Sequence, residues 1–272
     1  MNNGIGFWQP EELKLAAAFL ADGYFVQPAE SLEDLDRIRD LIADIAASYL
    51  RLPAPENKGE FLDRIHEKVE VERLNDLRLT VIRKMNEEPW LRPSYFRLAR
   101  RALEILVGNE LAMQRRVNLS IQLPSDDSSL LPIHADVWAG DSPYEIVLWV
   151  PYVDVHATKS MFILPREKDA RHQASMAQQK IHSSDALFRL VEPDLRWPNM
   201  SYGEVMLFTQ NLMHGNVVNR ERGTRWSSNC RFKSLFSPYH DKKLGEFFEP
   251  ILIRPVTQMG AAYRLPSVDR AP

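Results

Sequence analysis

Leu131-Pro132-Ile133-His134-Ala135-Asp136-Val137-Trp138 places a histidine and a carboxylate one residue apart, beside an apolar pattern that is typical of a strand. Side chains of an extended segment alternate between two faces, so His134 and Asp136 are expected to point the same way. An imidazole and a carboxylate on one face supply two of the three ligands of a facial metal site. The stretch therefore predicts a metal centre built on the strands of the fold.

The third ligand of such a site must come from another part of the chain. His214 is the best candidate, because it follows an apolar run at 204–208 that a second strand could bring back to the same place. Arg225 comes next and opens an alternating pattern over 225–233. Its planar guanidinium could bind a carboxylate beside the metal through two parallel hydrogen bonds.

Composition limits the class of partner. The 272 residues include 34 basic and 37 acidic side chains, for a net charge of −3, so no global field favours nucleic acid or an anionic membrane. A small-molecule partner is expected, and the oligomeric state is left open. The single cysteine, Cys230, excludes an intrachain disulfide and fits a reducing compartment as a buried thiol. No apolar run is long enough to span a membrane, so we expect a cytoplasmic protein.

The periodicity of the chain changes near residue 111. Helical patterns start at Pro10 and Ser31 and recur at about 60–86 and 93–108, whereas alternating strand patterns dominate from 117 onwards. A polar, partly helical insertion at 166–200 separates two groups of strands and could carry specificity or act as a lid. We predict one α+β domain over 1–272 with a mainly β core, a helical layer over 1–110 and a barrel over 111–255.

His134, Asp136, His214 and Arg225 together resemble the Fe(II)- and 2-oxoglutarate-dependent oxygenases, and within them the phytanoyl-CoA dioxygenase-like branch. The segment Leu20-Ala21-Asp22-Gly23-Tyr24-Phe25-Val26 is similar to the entry of that branch. The resemblance is greatest to members from bacterial carbohydrate and aminoglycoside gene clusters, through the segments Asn118-Leu119-Ser120-Ile121-Gln122, His214-Gly215-Asn216 and the strand pattern 225–233.

The resemblance implies a double-stranded β-helix, a jelly-roll or cupin-like barrel, with an N-terminal helical layer. It implies Fe(II) held by His134, Asp136 and His214, with 2-oxoglutarate and O2 as co-substrates and no catalytic residue beyond the metal centre. The expected co-substrate contacts are Arg225, Ser227, Gln122 and Asn216. Asp136 stands where related halogenases carry a small residue, which favours hydroxylation or another oxidation that begins with hydrogen abstraction.

Residues for the substrate are less well indicated. Asn118, Trp138, Tyr144 and Trp149 flank the predicted site, and aromatic surface with polar groups suits a sugar, although each of these residues could equally belong to the core or the rim. Arg231 shares a strand face with Arg225, but six residues along a strand span ~20 Å, so the two should not hold the same carboxylate near the metal.

The sequence thus predicts an Fe(II)/2-oxoglutarate-dependent dioxygenase that hydroxylates or oxidises a C–H bond of a small metabolite. A sugar, aminosugar or aminocyclitol from a bacterial biosynthetic pathway is the expected substrate, and an acyl thioester or another small molecule is the alternative. Two further alternatives stay open: metal chemistry of another kind on the same fold, and a non-catalytic module that binds metal and a 2-oxo acid.

Overall fold

The N-terminal part of the chain is a layer of helices. The computed structural model describes residues 6–179 and 183–265, without the side chains of 177–179. The helices in order are α1 (Pro10–Asp22), α2 (Leu32–Tyr49), α3 (Lys58–Asp63), α4 (Val71–Glu87), α5 (Leu91–Arg97) and α6 (Arg100–Val107). Helix α1 ends at Gly23, whose φ of 76° places it in the left-handed region. Ser31 caps α2 by accepting a hydrogen bond from the amide of Asp34 at 3.3 Å.

Two of the expected helical stretches are each divided in two. The pattern at 60–86 is α3 and α4, and the pattern at 93–108 is α5 and α6. The breaks contain Val69, Leu98 and Ala99, which are all buried. Packing of these apolar side chains against the core, rather than helical periodicity, therefore sets the boundaries of the helices.

The strands form one large antiparallel sheet and one small sheet. The large sheet contains β1 (Tyr24–Pro28), β2 (Leu111–Gln114), β3 (Asn118–Gln122), β4 (Glu145–Pro151), β6 (Glu204–Thr209), β8 (Arg225–Ser234) and β9 (Phe248–Leu252). Its order is β1-β6-β4-β8-β2-β9, and β3 also pairs with β8. Strand β2 was not anticipated from the sequence, and β1 occupies an edge of the sheet.

Strand β8 has side chains on both faces of the large sheet. Trp226, Cys230 and Phe232 are fully buried in the hydrophobic core, which confirms the buried thiol. Arg225 and Ser227, on either side of Trp226 in sequence, line a cavity instead. Because side chains alternate along a strand, one ten-residue strand supplies both core packing and part of the cavity wall.

The small sheet pairs β5 (Phe162–Ile163) with β7 (His214–Gly215). The insertion contributes α7 (Arg166–Gln179) and α8 (Ser184–Val191), and Leu187 of α8 packs with Phe162 and Met213 on the small sheet. Helix α9 (Pro255–Ala262) begins at the last residue of the predicted barrel, 111–255. The helices and the mainly antiparallel sheet agree with the predicted α+β class with a mainly β core.

None of the described helices combines the length and the apolar character that crossing a bilayer requires.

Candidate metal centre and adjoining pocket

Backbone pairing brings the first and third predicted ligands together. The amide of His134 donates to the carbonyl of His214 at 3.0 Å, and the amide of His214 donates back to the carbonyl of His134 at 2.8 Å. This antiparallel bridge places the strand segment of His134 beside β7. Two segments far apart in sequence therefore meet at the residues that carry the imidazoles.

The extended segment is shorter than expected. It ends at Ala135, and Asp136 begins a short 3-10 helix, Asp136–Ala139, which stops at Gly140 with a φ of 87°. Asp136 still meets the histidines: its Oδ1 lies 3.5 Å from Nε2 of His134 and 3.9 Å from Nε2 of His214. One donor atom from each of the three residues lies within 4.8 Å of the others, so these side chains could share one metal ion.

Hydrogen bonds to the backbone orient both imidazoles. Nδ1 of His134 lies 2.8 Å from the carbonyl of Pro132, and Nδ1 of His214 lies 2.8 Å from the carbonyl of Leu212. A carbonyl only accepts, so each Nδ1 carries a proton, and each Nε2, which lies near Asp136, is the nitrogen left to bind a metal ion. Metal-bound histidines are commonly fixed in this way.

The protonation of Asp136 and His214 suits a bound cation. Burial works against the charge of Asp136, but the hydrogen bond from His134 and the charges of His214 and Arg231 outweigh it and lower the pKa of the carboxyl group. Burial lowers the pKa of His214 to about 4, so its imidazole is neutral near pH 7. Burial also opposes charge on His134, yet contacts with Asp136 and Pro132 raise its pKa.

Arg231 belongs to the site, which the sequence did not indicate. Its Nη2 donates to Oδ2 of Asp136 at 2.8 Å, and its Nε donates to Oε1 of Gln210 at 2.9 Å. Gln210 in turn donates to the buried carboxyl of Glu145 at 2.7 Å, and burial raises the pKa of Glu145 to about 7. A chain of buried hydrogen bonds thus fixes the oxygen of Asp136 that faces away from the histidines.

A cavity of about 280 Å³, here called the metal cavity, opens beside the three candidate ligands. Its apolar wall comes from β4, β6 and the segment before β5, and its polar wall from β3 and β8. Besides His134, Asp136 and His214, the lining residues include Asn118, Ser120, Val147, Trp149, Met161, Phe208, Asn216, Arg225, Ser227, Asn229 and Arg231.

Arg225 is a buried cation without a counter-ion among the described residues. It is 3% exposed, and burial lowers its pKa to about 10, which still leaves it charged near neutral pH. Its Nη2 donates to Oγ of Ser120 at 3.1 Å, whereas its Nε has no hydrogen-bond partner in the described chain. An unpaired buried charge is costly, so this guanidinium fits an anion that enters the cavity.

Two hydroxyls beside Arg225 also lack partners among the described groups. Oγ of Ser227 and Oγ of Ser160 are both buried, and the carbonyl of Ser160 accepts a long contact of 3.4 Å from Nη1 of Arg225. The guanidinium of Arg225 and the hydroxyl of Ser227 line the same cavity and match the donors that a carboxylate requires.

The other two predicted co-substrate residues have structural partners. Gln122 lies opposite Arg225 in the β3–β8 register and donates to the carbonyl of Val217 at 2.5 Å, while its Oε1 has no partner in the described chain. Asn216 lines the metal cavity, but its Oδ1 accepts from the amide of Leu131 at 2.6 Å. Asn216 therefore holds the loop that leads to His134.

The four predicted substrate residues divide into two pairs. Asn118 and Trp149 line the metal cavity. Trp138 and Tyr144 do not: their side chains are 45% and 57% exposed, and Tyr144 lines a separate depression with Phe19. Gly140 turns the chain after Trp138. Trp138 and Tyr144 are therefore close to Asp136 in sequence without lining the metal cavity.

Several solved structures share this fold. EctD from S. alaskensis, with 2-oxoglutarate and 5-hydroxyectoine, matches with a TM-score of 0.56 and 17% identity over 84% of this chain and 79% of its own. HygX from Streptomyces hygroscopicus, with nickel and 2-oxoglutarate bound, matches with a TM-score of 0.52 and 14% identity over 87% and 90% of the two chains. AviO1 from Streptomyces viridochromogenes Tue57 gives 0.51 and 14% over 86% and 99%.

A comparison with protein-family models finds no match, and a comparison with curated proteins finds none either. At these identities the solved structures show the fold of the chain and not its activity. Two of the three carry 2-oxoglutarate, so the resemblance to 2-oxoglutarate-dependent oxygenases that the sequence indicated is confirmed at the level of fold.

Proposed function

We propose that the chain is an Fe(II)- and 2-oxoglutarate-dependent oxygenase that hydroxylates or oxidises a C–H bond of a small metabolite. The observation that carries the proposal is the pairing of a His-Asp-His cluster with a buried arginine that has no counter-ion in the described chain. A metal site alone would serve many reactions, but a separate anion-binding group in the same cavity fits the far carboxylate of a 2-oxo acid.

Each residue then has a defined task. Nε2 of His134, Nε2 of His214 and a carboxylate oxygen of Asp136 would hold Fe(II), and Arg231 would keep that carboxylate oriented. Arg225 and Ser227 would bind the distal carboxylate of 2-oxoglutarate. Gln122 pairs with Arg225 in the strand register but does not line the metal cavity, so it would support the strand rather than contact the co-substrate. The bound metal with 2-oxoglutarate and O2 supplies the oxidising chemistry, and the apolar residues Val147, Met161 and Phe208 keep water away from it.

The overall arrangement belongs to the same proposal. We infer that the large and small sheets close into a double-stranded β-helix, and that residues 1–272 form one domain. The lid role of 166–200 receives no support from the lining of the metal cavity, to which no described residue of that insertion contributes. Its helix α8 packs on the small sheet instead, and residues 180–182 lie outside the described chain.

The proposed substrate is a sugar-like metabolite of a bacterial biosynthetic pathway. Asn118 and Trp149 offer a carboxamide and an aromatic surface in the metal cavity, which suits a hydroxylated ring. HygX and AviO1, both from Streptomyces, share the fold, but 14% identity does not indicate the substrate of this chain. An acyl thioester remains the alternative substrate, and a binding module without turnover remains the alternative function.

The test is the visible charge-transfer band that Fe(II) and 2-oxoglutarate form when both bind one site. We expect the band in the anaerobic wild-type protein, its loss in His214→Ala, and a much higher 2-oxoglutarate requirement in Arg225→Ala. O2-dependent formation of succinate then separates an oxygenase from a binding module. A folded wild-type protein that binds Fe(II) but shows no band with 2-oxoglutarate would refute the proposal.

A further inference from the structure

A second cavity adjoins the metal cavity and has no part in the proposed binding of iron or 2-oxoglutarate. This outer cavity has a volume of about 470 Å³ and lies between α4, strand β3 and the loop at 128–131. Four residues line both cavities: Asn118, Ser120, Leu131 and Asn229. A molecule in the outer cavity would therefore sit directly beside the metal centre, at a volume typical of small-molecule sites.

The polar groups of the outer cavity are mostly uncharged hydrogen-bonding groups. Asn75 of α4, Ser128 and Ser129 of the loop, and the hydrogen-bonded pair Asn118 and Asn229 all line it. Carboxamides and hydroxyls both donate and accept hydrogen bonds, so they suit a molecule with several hydroxyl groups. The apolar groups come from the same helix as Asn75, from strand β3 and from the loop, as in Leu74, Leu119 and Leu130.

Arg78 is the single charged side chain among the described residues that line the outer cavity. It is half-buried and donates to Oδ1 of Asn75 at 2.7 Å, but it forms no ion pair with a described acidic group. Two acidic residues of the neighbouring segments, one on α4 and one just before the loop, have other hydrogen-bond partners. Asp76 accepts a hydrogen bond from Tyr49, and the carboxylate of Asp126 is bound to Ser128.

We propose that the outer cavity binds the substrate through an anionic substituent, a carboxylate or a phosphate ester, that pairs with Arg78. The carbon to be oxidised then reaches the metal cavity past Asn118 and Asn229. This inference rests on the proposed oxygenase function and refines its substrate class. A polycationic aminocyclitol is disfavoured, because the described lining of the outer cavity offers a cation and no carboxylate to receive it.

The test compares matched probes on protein loaded with Zn(II) and 2-oxoglutarate. Calorimetric titration would use two sets of probes. The sugar set is glucose, glucosamine, glucuronate and glucose 6-phosphate. The second set is pantetheine and 4′-phosphopantetheine, and comparison of the two sets separates a sugar from a thioester carrier. The expected result is that the anionic member of at least one set binds about tenfold more tightly than its neutral or cationic partners, as a charge-assisted hydrogen bond provides. Arg78→Gln should remove that preference.

Arg83→Gln is the matched control, since Arg83 lies on the exposed side of the same helix and should leave the affinities unchanged. Any of four results would overturn the inference. These are tighter binding of glucosamine than of the other sugars, equal binding within every set, no binding of any probe at millimolar concentration, and an anion preference that persists in Arg78→Gln. A portion of the same purified protein, loaded anaerobically with Fe(II) instead of Zn(II), separates the two failures: an iron–2-oxoglutarate band without anion preference rejects only the substrate class, and no band rejects the oxygenase itself.

Discussion

At the scale of single residues, Arg225 carries most of the functional argument. Its guanidinium is buried, charged and without a counter-ion among the described groups, which is a costly arrangement unless an anion arrives. The sequence located this residue because it opens an alternating strand pattern after the second histidine. The sequence could not show that Nε of Arg225 and Oγ of Ser227 both lack hydrogen-bond partners among the described groups. That depends on which polar groups the neighbouring strands place beside them.

Replacing Arg225 by methionine should separate stability from binding. Arg225→Met removes an unpaired buried charge at similar volume, so we expect the thermal midpoint of the ligand-free protein to stay the same or rise. The affinity for 2-oxoglutarate should fall about a hundredfold, for the loss of ~3 kcal/mol of charge-assisted hydrogen bonding. Thermal unfolding with and without 2-oxoglutarate measures both, and Arg225→Lys is the control that retains the charge. A variant still stabilised by 2-oxoglutarate as strongly as the wild type would contradict the assignment.

Arg231 shows why a correct rule of spacing can still miss a residue. Strand geometry separates Arg225 and Arg231 by ~20 Å along β8, too far for the two to share one carboxylate, although both line the metal cavity. Arg231 instead contacts the carboxylate of Asp136, which arrives from a different segment of the chain. Only the three-dimensional path of the turn at 136–140 shows that contact.

We predict that Arg231→Gln weakens metal binding by about tenfold, the usual order of effect when a partner that orients a ligand is lost. Asp136 would lose the donor that fixes its Oδ2, and the carboxylate could rotate away from the imidazoles. Competition against a chromophoric chelator measures the affinity for Ni(II) or Fe(II), with circular dichroism to verify folding. Tighter metal binding would show that charge repulsion by Arg231 outweighs its orienting contact, and the prediction would then be wrong.

At the scale of elements, the small sheet has the tightest packing near the metal centre. A Cβ added at Gly215 in β7 would lie 2.7 Å from the carbonyl oxygen of Leu131 and 2.8 Å from the ring of Phe162. Both are firmly held, because Leu131 is bonded to Asn216 and Phe162 is buried beneath α8. Glycine is therefore required by the close approach of the segment that carries His134.

Gly215→Ala should consequently displace β7 and, with it, the imidazole of His214. We expect a loss of ~1–3 kcal/mol in the free energy of unfolding from overpacking, and a larger loss in metal affinity than this destabilisation alone accounts for. Urea denaturation and metal titration measure the two. Gly260→Ala in α9 is the control, since its added Cβ meets nothing within 4 Å. Unchanged metal affinity in Gly215→Ala would refute the argument.

Most long elements could be predicted from the sequence, but only some of the short ones could. The starts of α1 and α2 and the strands β3, β4, β6 and β8 follow from caps and periodicity, which are local signals. Strand β2 and the two-residue strand β7 depend on partners from distant parts of the chain. The same reason explains the substrate residues: Asn118 lies on a long strand and lines the metal cavity, whereas Trp138 follows a turn whose direction the sequence does not specify.

At the scale of the whole molecule, an ion pair with one buried partner, the carboxylate of Asp34, connects two helices of the helical layer. Asp34 of α2 accepts from Nε and Nη2 of Arg97 of α5 at 2.7 and 2.6 Å. These hydrogen bonds from Arg97 hold the pKa of Asp34 at about 2, below its ordinary value of 3.8. The helices that this pair connects support the large sheet, so the pair contributes to the stability of the described fold as a unit.

The pH dependence follows from the direction of that shift. A carboxylate with a lowered pKa stabilises the fold above its unfolded value near pH 4, and the contribution disappears as the pH falls through about 2. Asp34→Asn should therefore cost about 1 kcal/mol at pH 7, a modest value because Arg97 is 47% exposed, and almost nothing at pH 2. Urea denaturation at pH 7, 4 and 2 tests this, with Asp127→Asn, at an exposed position, as control. A difference that persists at pH 2 would contradict it.

The backbone bridge between His134 and His214 has a consequence for the lifetime of the protein. A metal ion held by both imidazoles would act as a reversible cross-link between segments that the chain separates widely, next to the point where they already pair. Since the ion binds the folded form and not the unfolded chain, each tenfold excess over its dissociation constant adds about 1.4 kcal/mol of stability. The abundance of the protein in a cell would then follow the supply of that metal, because the chain deprived of the ion opens more often to proteases.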